Sequence, residues 1–345
     1  EIGLFNDLWK TLGRYFKDPR LHQLFGRYAT YCGSSPFQAP ATLMLIADVE
    51  MQGVWAVQGG MIAITQAITK LAQAKGVKFI QGINCEEIVQ TAGKVSGVRL
   101  STGETIQTQA VVFNGDAMAL QTGLLGQANQ HAVQITQATR SLSAITWSML
   151  TKPSGFPLVR HNVFFNRDYD SEFTDIFYRK RLPQHPTVYI CAQDQTDTTS
   201  SHSEGERLLC LVNAPAIGDR QQPTLSEIES CQEKSFSLLE HCGLNLSLEE
   251  ATVTRTTPQD FHRLFPATGG ALYGQANHGW MDTFRRPAAQ TAITGLYLAG
   301  GSAHPGAGVP MAALSGRMAA ATLMAHLGLI KKSGRVLISG GTSMH

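Results

Sequence analysis

The chain has 345 residues, of which 43% are hydrophobic and 16% are charged, and its formal net charge is +2. This length and composition are typical of a folded protein with a large core and room for two interleaved domains. The near-neutral charge and the absence of a long lysine or arginine run argue against a nucleic-acid partner. The six cysteines show no CxxC spacing, which indicates neither a metal site nor a disulfide framework and fits a reducing cytoplasm.

The first part of the chain is predicted to form two aromatic helices. Apolar residues recur at helical spacing from Leu4 to Phe16, and Asp18-Pro19 is an N-cap followed by proline at the first helical position of the second helix. The aromatic side chains of these helices either pack in the core or line an apolar ligand channel or membrane contact. No apolar stretch approaches the ~18 residues that a spanning helix needs, so we expect any membrane contact to be peripheral.

A glycine pair precedes the next predicted helix. Gly59-Gly60 stands before the run from Met61 to Ala74, which carries apolar residues on one side, and Gly76 is placed as its C-cap. Apolar runs separated by glycine-containing turns then predict a small sheet built of hairpins. These strands are predicted at 77 to 80, 87 to 90, 95 to 100 and 105 to 113.

The middle of the chain is rich in predicted strands and has no internal repeat of fixed period. A polar loop is predicted from Asp194 to Glu206, and an amphipathic helix from Leu225 to Cys242. The strands are predicted at 143 to 150, 188 to 192, 208 to 212 and 251 to 256.

The C-terminal part places glycines and prolines between a short apolar run, 295 to 301, and an alanine-rich helix from Met311 to His326. Glycines at such a strand-to-helix junction let a ligand approach closely, and the helix N-terminus offers N–H groups and a positive dipole end. We therefore expect a site for an anionic or carbonyl-rich ligand, with a plain tight turn as the alternative. The stretch from 331 to 345 is predicted to lie outside the core.

Four stretches together resemble the bacterial phytoene-desaturase-type carotenoid desaturases, and within them the hydroxyneurosporene (1-hydroxycarotenoid 3,4-) desaturases. They occur in the order of that family and span nearly the whole chain. Ala56-Val57 replaces an aromatic-proline pair often found in phytoene desaturases proper, which favours the hydroxycarotenoid branch. The four stretches are RYATYCGSSPFQAPA at 27 to 41, EMQGVWAVQGGM at 50 to 61, FPATGGALYGQANHGW at 265 to 280 and GLYLAGGSAHPGAGVPMAALSGR at 295 to 317.

The resemblance implies an α/β fold with α+β elements: a glutathione-reductase-like FAD-binding core of the amine-oxidase and phytoene-desaturase type, with an interleaved substrate domain. The family begins with a strand, a G-x-G-x-x-G turn and a helix that bind the ADP part of FAD, and residues 1 to 50 do not contain them. We therefore expect a chain that is N-terminally truncated relative to the family and binds FAD poorly by itself. The expected division is 1–55 and 121–262 for the substrate domain, 56–120 and 263–328 for the FAD-binding core, and 329–345 for a tail.

The resemblance also implies which residues contact FAD. A helix N-terminus aimed at the flavin would stabilise the negative charge that develops on reduction. The glycine pair before residue 61 is alternatively a simple helix start. The implied contacts are Gly300 and Gly301 near the pyrophosphate or ribityl region, Gly308, Val309, Pro310 and Met311 at the flavin ring, and Gly59, Gly60 and Met61 close to the flavin.

The implied activity is FAD-dependent desaturation of a carotenoid in carotenoid biosynthesis, with 3,4-desaturation of a 1-hydroxycarotenoid such as 1-hydroxyneurosporene as the leading hypothesis. The flavin would accept a hydride equivalent from one carbon, and a base or water would accept a proton from its neighbour. No metal is expected, and no catalytic acid or base is assigned. Candidates by position are His304, Asp48, Glu50 and Asp116.

A hydrophobic polyene substrate requires an apolar tunnel, and a terminal hydroxyl on it should meet one buried polar group, which the sequence does not identify. We expect a cytoplasmic protein in peripheral contact with the bacterial inner membrane. The alternatives are phytoene or diapophytoene desaturation, carotenoid isomerisation or terminal oxidation within the same family, and a non-catalytic isoprenoid-binding protein on the same fold, as the Rab GDP-dissociation inhibitors are. Residues that either line the tunnel or pack in the core are Phe37, Trp55, Phe164, Phe165 and Trp280.

Overall fold

A computed structural model describes residues 6–135, 139–195, 205–247 and 251–329 of the chain. The predicted residues Leu4 and Phe5 of the first helix and all but the first residue of the expected tail lie outside the described residues. The described part contains both helices and sheets, which confirms the α/β class expected from the sequence.

The N-terminal helices form where the sequence predicts them. Helix α1 covers Leu8–Tyr15 and helix α2 covers Pro19–Gly26. The Asp18 carboxylate accepts a hydrogen bond of 2.9 Å from the backbone N–H of Arg20, so the predicted N-cap is confirmed. A tight 3₁₀ turn at Arg27–Cys32 follows directly, and helix α3 spans Leu45–Met51. A small apolar cluster holds these elements together through Leu8, Leu12, Ala29 and Ala39.

Helix α4, Ile62–Ala74, confirms the prediction after the glycine pair, and Gly76 follows it with φ +84°. None of its residues is buried: Ile68 and Leu71 are each 61% exposed. The run from 77 to 80, predicted as a strand, is not a strand in the structure, and it too is exposed. A strand requires a hydrogen-bonded neighbour, and no strand of the described part pairs with this run.

The hairpins after residue 84 are confirmed as an antiparallel sheet of β1 (Cys85–Thr91), β2 (Lys94–Leu100) and β3 (Thr105–Gln107). The prediction of one continuous strand from 105 to 113 is wrong. The chain breaks where the Thr108 hydroxyl accepts the N–H of Ala110, and β4 (Val111–Phe113) leaves the hairpin sheet. Strand β4 instead pairs in parallel with a strand near the C-terminus.

A five-stranded antiparallel sheet forms the largest core. Helix α7, Leu225–His241, packs on it with a Thr224–Glu227 capping box, and the apolar residues of the two elements form one cluster with Trp147 at 0% exposure. The short strands β6 (Pro153–Gly155) and β10 (Leu244–Leu246) pair at its side. In sheet order the five strands are β11 (Thr252–Thr256), β5 (Ser143–Thr151), β9 (Glu206–Ala214), β8 (Val188–Ala192) and β7 (His161–Phe164).

The remaining helices follow individual strands along the chain. Helix α5 (Ala117–Gln121) follows β4, α6 (Tyr169–Thr174) runs into a π-helical turn, and α8 (Pro258–Leu264) follows β11. Strand β12 (Leu296–Leu298) pairs with β4, and helix α9 (Val309–His326) comes after a glycine-rich loop. No helix among the described residues combines the length and the apolar character needed to cross a membrane.

Candidate functional site

The glycine-rich loop between β12 and α9 begins at Gly300, whose backbone conformation and surroundings admit only glycine. Its φ is +109°, and a Cβ added there would overlap the Oδ1 atom of Asn114, just after β4. The Gly300 N–H donates to the hydroxyl of Ser315, a fully buried residue of α9, at 3.2 Å. The start of the loop is therefore fixed between the end of β4 and helix α9.

The other end of the loop is open. Gly308 is the N-cap of α9 with φ +105° and ψ 148°, and no side chain caps the helix. Pro310 lies in the first turn, and the Ala312 N–H donates to the Gly308 carbonyl at 2.8 Å. A Cβ built at Gly308 would meet no atom within 4 Å, and Val309 and Met311 are exposed. The helix N-terminus thus presents accessible backbone and a positive dipole end to a ligand.

Arg286, which the sequence did not indicate, lies beneath this loop. Its Nη1 donates to the carbonyl oxygens of Gly301 at 2.8 Å and Tyr273 at 3.1 Å, and its Nη2 donates to the carbonyl of Gln275 at 2.5 Å. The residue is buried, and burial lowers the pKa of its guanidinium. One cation therefore joins two chain segments, 273–275 and the glycine-rich loop, and places positive charge under the site.

A cavity of about 490 Å³ lies where these segments meet the end of β4. One side consists of Asn114, Gly115 and Asp116, and the loop supplies Gly301 and Ser302. The lining is mainly apolar elsewhere, as expected for a site that holds a large organic ligand. Those apolar residues include Cys85, Phe113, Leu124, Leu125, Phe265, Leu272 and Tyr273.

A second cavity, of about 350 Å³, adjoins the first. It carries the cationic side chains of Arg140, Lys180 and Arg220; Arg140 is held by a two-pronged ion pair with Asp219. Together the cavities can accept an extended ligand that has apolar and negatively charged parts. The residues that line both cavities are Asp116, Thr268, Ala271, Gly274 and Ser302.

The structure brings only some of the expected cofactor residues together. Gly300, Gly301 and Gly308 lie on one loop, and Val309, Pro310 and Met311 form the first turn of helix α9 that follows it. Gly59 and Gly60 form a separate exposed turn before α4, each with φ +79°. The Gly60 N–H donates to the Val57 carbonyl at 2.9 Å, and no described hydrogen bond joins this turn to the loop. The role of Gly59, Gly60 and Met61 at the flavin therefore stays a prediction.

The four candidate acids and bases differ in their surroundings. Asp116 lines both cavities, but its carboxylate caps α5 by accepting the Met118 N–H at 2.9 Å, and burial raises its pKa. His304 lies in the loop, where its backbone N–H donates to a carbonyl. Asp48 and Glu50 are exposed on α3, and Glu50 accepts the Tyr28 hydroxyl at 2.6 Å. This geometry favours none of them as the catalytic base.

The aromatic residues considered for a substrate tunnel also differ in their packing and exposure. Phe164 packs inside the core of the five-stranded sheet, which is the alternative the sequence had left open. Phe37 and Phe165 pack against a cluster around α6, while Trp280 is exposed and Trp55 is 81% exposed. Among the described residues no group of three or more His, Cys, Asp or Glu side chains is placed to hold a metal ion.

No family model matches the chain. Over 344 residues it is 56% identical to a hydroxyneurosporene desaturase from Rubrivivax gelatinosus, which covers 99% of this chain and 66% of that protein. It is 45% identical over 315 residues to a hydroxyneurosporene desaturase from Rhodobacter capsulatus, covering 91% of this chain and 63% of the relative.

A third relative is a 1-hydroxycarotenoid 3,4-desaturase from a Flavobacterium species, 34% identical over 323 residues, covering 92% of this chain and 65% of that protein. The chain thus spans somewhat less than two thirds of the length of the curated relatives it matches. Among solved structures, an oxidoreductase from Methanosarcina mazei superposes with a TM-score of 0.56 at 16% identity, covering 94% of this chain and 68% of that one. This last similarity shows a shared fold.

Proposed function

The chain belongs to the carotenoid desaturase family, and from this membership we propose that the protein desaturates a carbon–carbon bond of a carotenoid, in carotenoid biosynthesis, with FAD as its cofactor. The finer proposal is 3,4-desaturation of a 1-hydroxycarotenoid such as 1-hydroxyneurosporene. The observation that carries it is the 56% identity over 344 residues to a protein named hydroxyneurosporene desaturase. The Flavobacterium relative, whose name specifies 3,4-desaturation, supports the position of the bond.

The residues present fit FAD. Gly308 leaves open space where a side chain would stand, and no side chain caps α9. The two cavities, which the loop lines at Gly301 and Ser302, combine apolar walls with cations. A flat ring system would find room at 308–311, and a pyrophosphate would find glycine backbone at Gly300 and Gly301. The turn of Gly59, Gly60 and Met61 is proposed to close the site from another side.

When bound, FAD supplies the two-electron acceptor that removal of hydrogen from an unactivated carbon requires. The chain's own part is to orient the polyene and to keep water away from the reacting carbons. The N-terminus of α9 and the Arg286 cation favour negative charge at the loop, because both place positive potential there without reorganisation. The group that accepts the proton from the neighbouring carbon is not assigned.

The partner is an apolar polyene, so we extend the proposal to peripheral contact with the cytoplasmic side of the inner membrane, where such a substrate dissolves. Exposed apolar side chains in and after α3 support a contact of this kind. They are Val49, Met51, Val54 and Trp55.

The proposal is tested by expressing the whole gene product that contains this chain in cells that make neurosporene or its 1-hydroxy derivative. The expected result is a red-shifted pigment two mass units lighter, formed only from the hydroxylated substrate. An oxygenated pigment would instead favour the reaction named for the 4,4'-diaponeurosporene oxygenase of Staphylococcus haemolyticus, which is 29% identical over 325 residues. An unchanged pigment in both strains would exclude the proposed reaction.

A further inference from the structure

Arg27 is a buried cation that lacks a counterion. The residue lies in the 3₁₀ turn after α2 and is 6% exposed. Its Nε and Nη1 atoms have no hydrogen-bond partner, and no described carboxylate forms an ion pair with it. A buried guanidinium with unused donors is costly unless an acceptor oxygen reaches it.

The phenol of Tyr169, on α6, is the second unsatisfied group at this place. Tyr169 is 4% exposed, and its hydroxyl makes no well-formed hydrogen bond, although the Arg27 side chain lies close enough to interact with it. Burial raises the pKa of the phenol, and the neighbouring Arg27 charge opposes part of that rise. Two polar side chains from different elements therefore lie side by side in the interior, and each keeps unused hydrogen-bonding capacity.

The nearby carboxylate of Glu172 is already committed elsewhere. Its two oxygens accept the Thr187 N–H at 3.0 Å and the Asn213 side-chain amide at 2.8 Å, in a fully buried position. Burial raises the pKa of Glu172, with Thr187, Arg27 and Asn213 opposing the rise. Glu172 thus stabilises the junction of α6 with the sheet strands and leaves the donors of Arg27 free.

The surroundings of Tyr169 are aromatic. Tyr169 contacts Trp9, Phe37 and Phe173 with ring centroids 6.1, 6.1 and 5.1 Å apart. Water would satisfy the donors of Arg27 but would gain nothing from such walls. A long apolar chain that ends in a hydroxyl matches both the aromatic walls and the unpartnered polar atoms.

We propose that Arg27 and Tyr169 bind the terminal hydroxyl of the carotenoid and give the enzyme its preference for the hydroxylated substrate. This inference rests on the proposed function and deepens it by naming the specificity residues. Removal of a partner from a hydrogen bond to a charged donor costs roughly 1.5–3 kcal/mol, which corresponds to about 10- to 150-fold in affinity. A polyene without the hydroxyl should lose nothing when the donors are removed.

The test measures dissociation constants of the whole gene product, loaded with FAD, for 1-hydroxyneurosporene and for neurosporene, by quenching of tryptophan fluorescence. Arg27→Met keeps an unbranched apolar stem and removes the guanidinium donors, and Arg14→Met makes the same change at an exposed position of α1. We expect Arg27→Met to weaken binding of the hydroxylated chain at least 10-fold and that of the plain chain by less than 2-fold. Arg27→Lys should recover part of the loss, and Arg14→Met should match the wild type.

Tyr169→Phe keeps the test valid if Arg27→Met fails to fold. Because the Tyr169 hydroxyl makes no well-formed hydrogen bond in the protein, its removal should change the melting temperature little and still reduce the preference for the hydroxylated chain about 3- to 10-fold. Equal weakening of both ligands by the folded variants would overturn the proposal.

The two proposals fail separately. A wild type that prefers the hydroxylated chain but does not desaturate it overturns the proposed function and supports the specificity site. If the wild type desaturates the hydroxylated chain and both Arg27→Met and Tyr169→Phe keep the preference for it, the specificity site is overturned and the proposed function is supported. Binding of neither polyene overturns both.

Discussion

The guanidinium of Arg286 donates a hydrogen bond of 2.8 Å to the carbonyl oxygen of Gly301, and the same side chain holds two carbonyls of the segment 273–275. The loop expected to contact FAD and the segment that lines the adjoining cavity are thereby fixed to each other. The position of the loop depends on a residue that lies outside the glycine motif.

We expect Arg286→Met to lower the free energy of unfolding by about 2–4 kcal/mol, because three part-buried carbonyls lose a charged donor. FAD retention should fall in parallel. Arg285→Met is the matched control, since Arg285 is exposed and forms only an i,i+3 ion pair with Asp282. Urea unfolding and the flavin-to-protein ratio after gel filtration measure both effects. Equal unfolding midpoints for the two variants would contradict the role assigned to Arg286.

Two glycines of the loop should respond differently to substitution. Gly300→Ala places a Cβ against the Asn114 side chain at a positive φ, so we expect a loss of stability of at least 2 kcal/mol. Gly308→Leu strains the backbone by about 1–3 kcal/mol but meets open space in the protein, so its side chain should obstruct the ligand. Thermal unfolding and flavin retention separate the two cases. Normal FAD retention by Gly308→Leu would refute the placement of the flavin ring.

The stability of the protein should fall in mild acid because of His278. Its Nε2 accepts the Ser35 N–H at 3.0 Å, and burial, with Lys180 nearby, lowers the pKa of His278 to about 4. The unfolded chain, with a histidine pKa near 6.5, binds the proton first. The stabilisation is therefore complete above about pH 6.5 and is lost as the pH falls toward 4, by about 3 kcal/mol at most.

The variant His278→Gln offers the same acceptor without titrating. Its unfolding free energy should be less dependent on pH than that of the wild type, as measured by urea unfolding between pH 4 and pH 7.5. Parallel pH profiles for the two proteins would show that His278 is not the group responsible.

The exposed face of α4 should contribute little to the stability of this chain. We expect the double variant Ile68→Gln, Leu71→Gln to change the unfolding free energy by less than about 1 kcal/mol, because neither side chain is buried. Leu296→Ala, in the fully buried β12, should cost about 2–5 kcal/mol. Binding of an apolar dye should fall in the double variant. A cost comparable to that of Leu296→Ala would contradict the placement of α4.

Elements with strong periodicity could be predicted from the sequence. The strand Val188–Ala192 and the helix α7 were predicted within a residue of their bounds, because alternation and amphipathic spacing are local signals. The run 77–80 carries the same strand signal but lacks a partner, and strand formation depends on pairing. The break before β4 was missed because its parallel partner, β12, lies far away in the sequence.

The glycine positions of the site could be proposed because a glycine-rich junction is visible as a pattern. Arg286 and Arg27 could not, since an arginine in the sequence looks the same whether it is exposed or buried. The available signal was the presence of arginines in two stretches without acidic residues, RYATYC and FRRPAA. Tertiary packing decides which carbonyls Arg286 contacts, and it also leaves donor atoms of Arg27 without a partner.

The most direct test of the central claim is an anaerobic single-turnover experiment with the purified whole gene product loaded with FAD. Mixing with 1-hydroxyneurosporene should bleach the visible band of the oxidised flavin while one new double bond forms per flavin reduced, and neurosporene should leave the band unchanged. Formation of the desaturated product without loss of the flavin band, or bleaching without a product two mass units lighter, would contradict FAD-dependent desaturation of a hydroxycarotenoid.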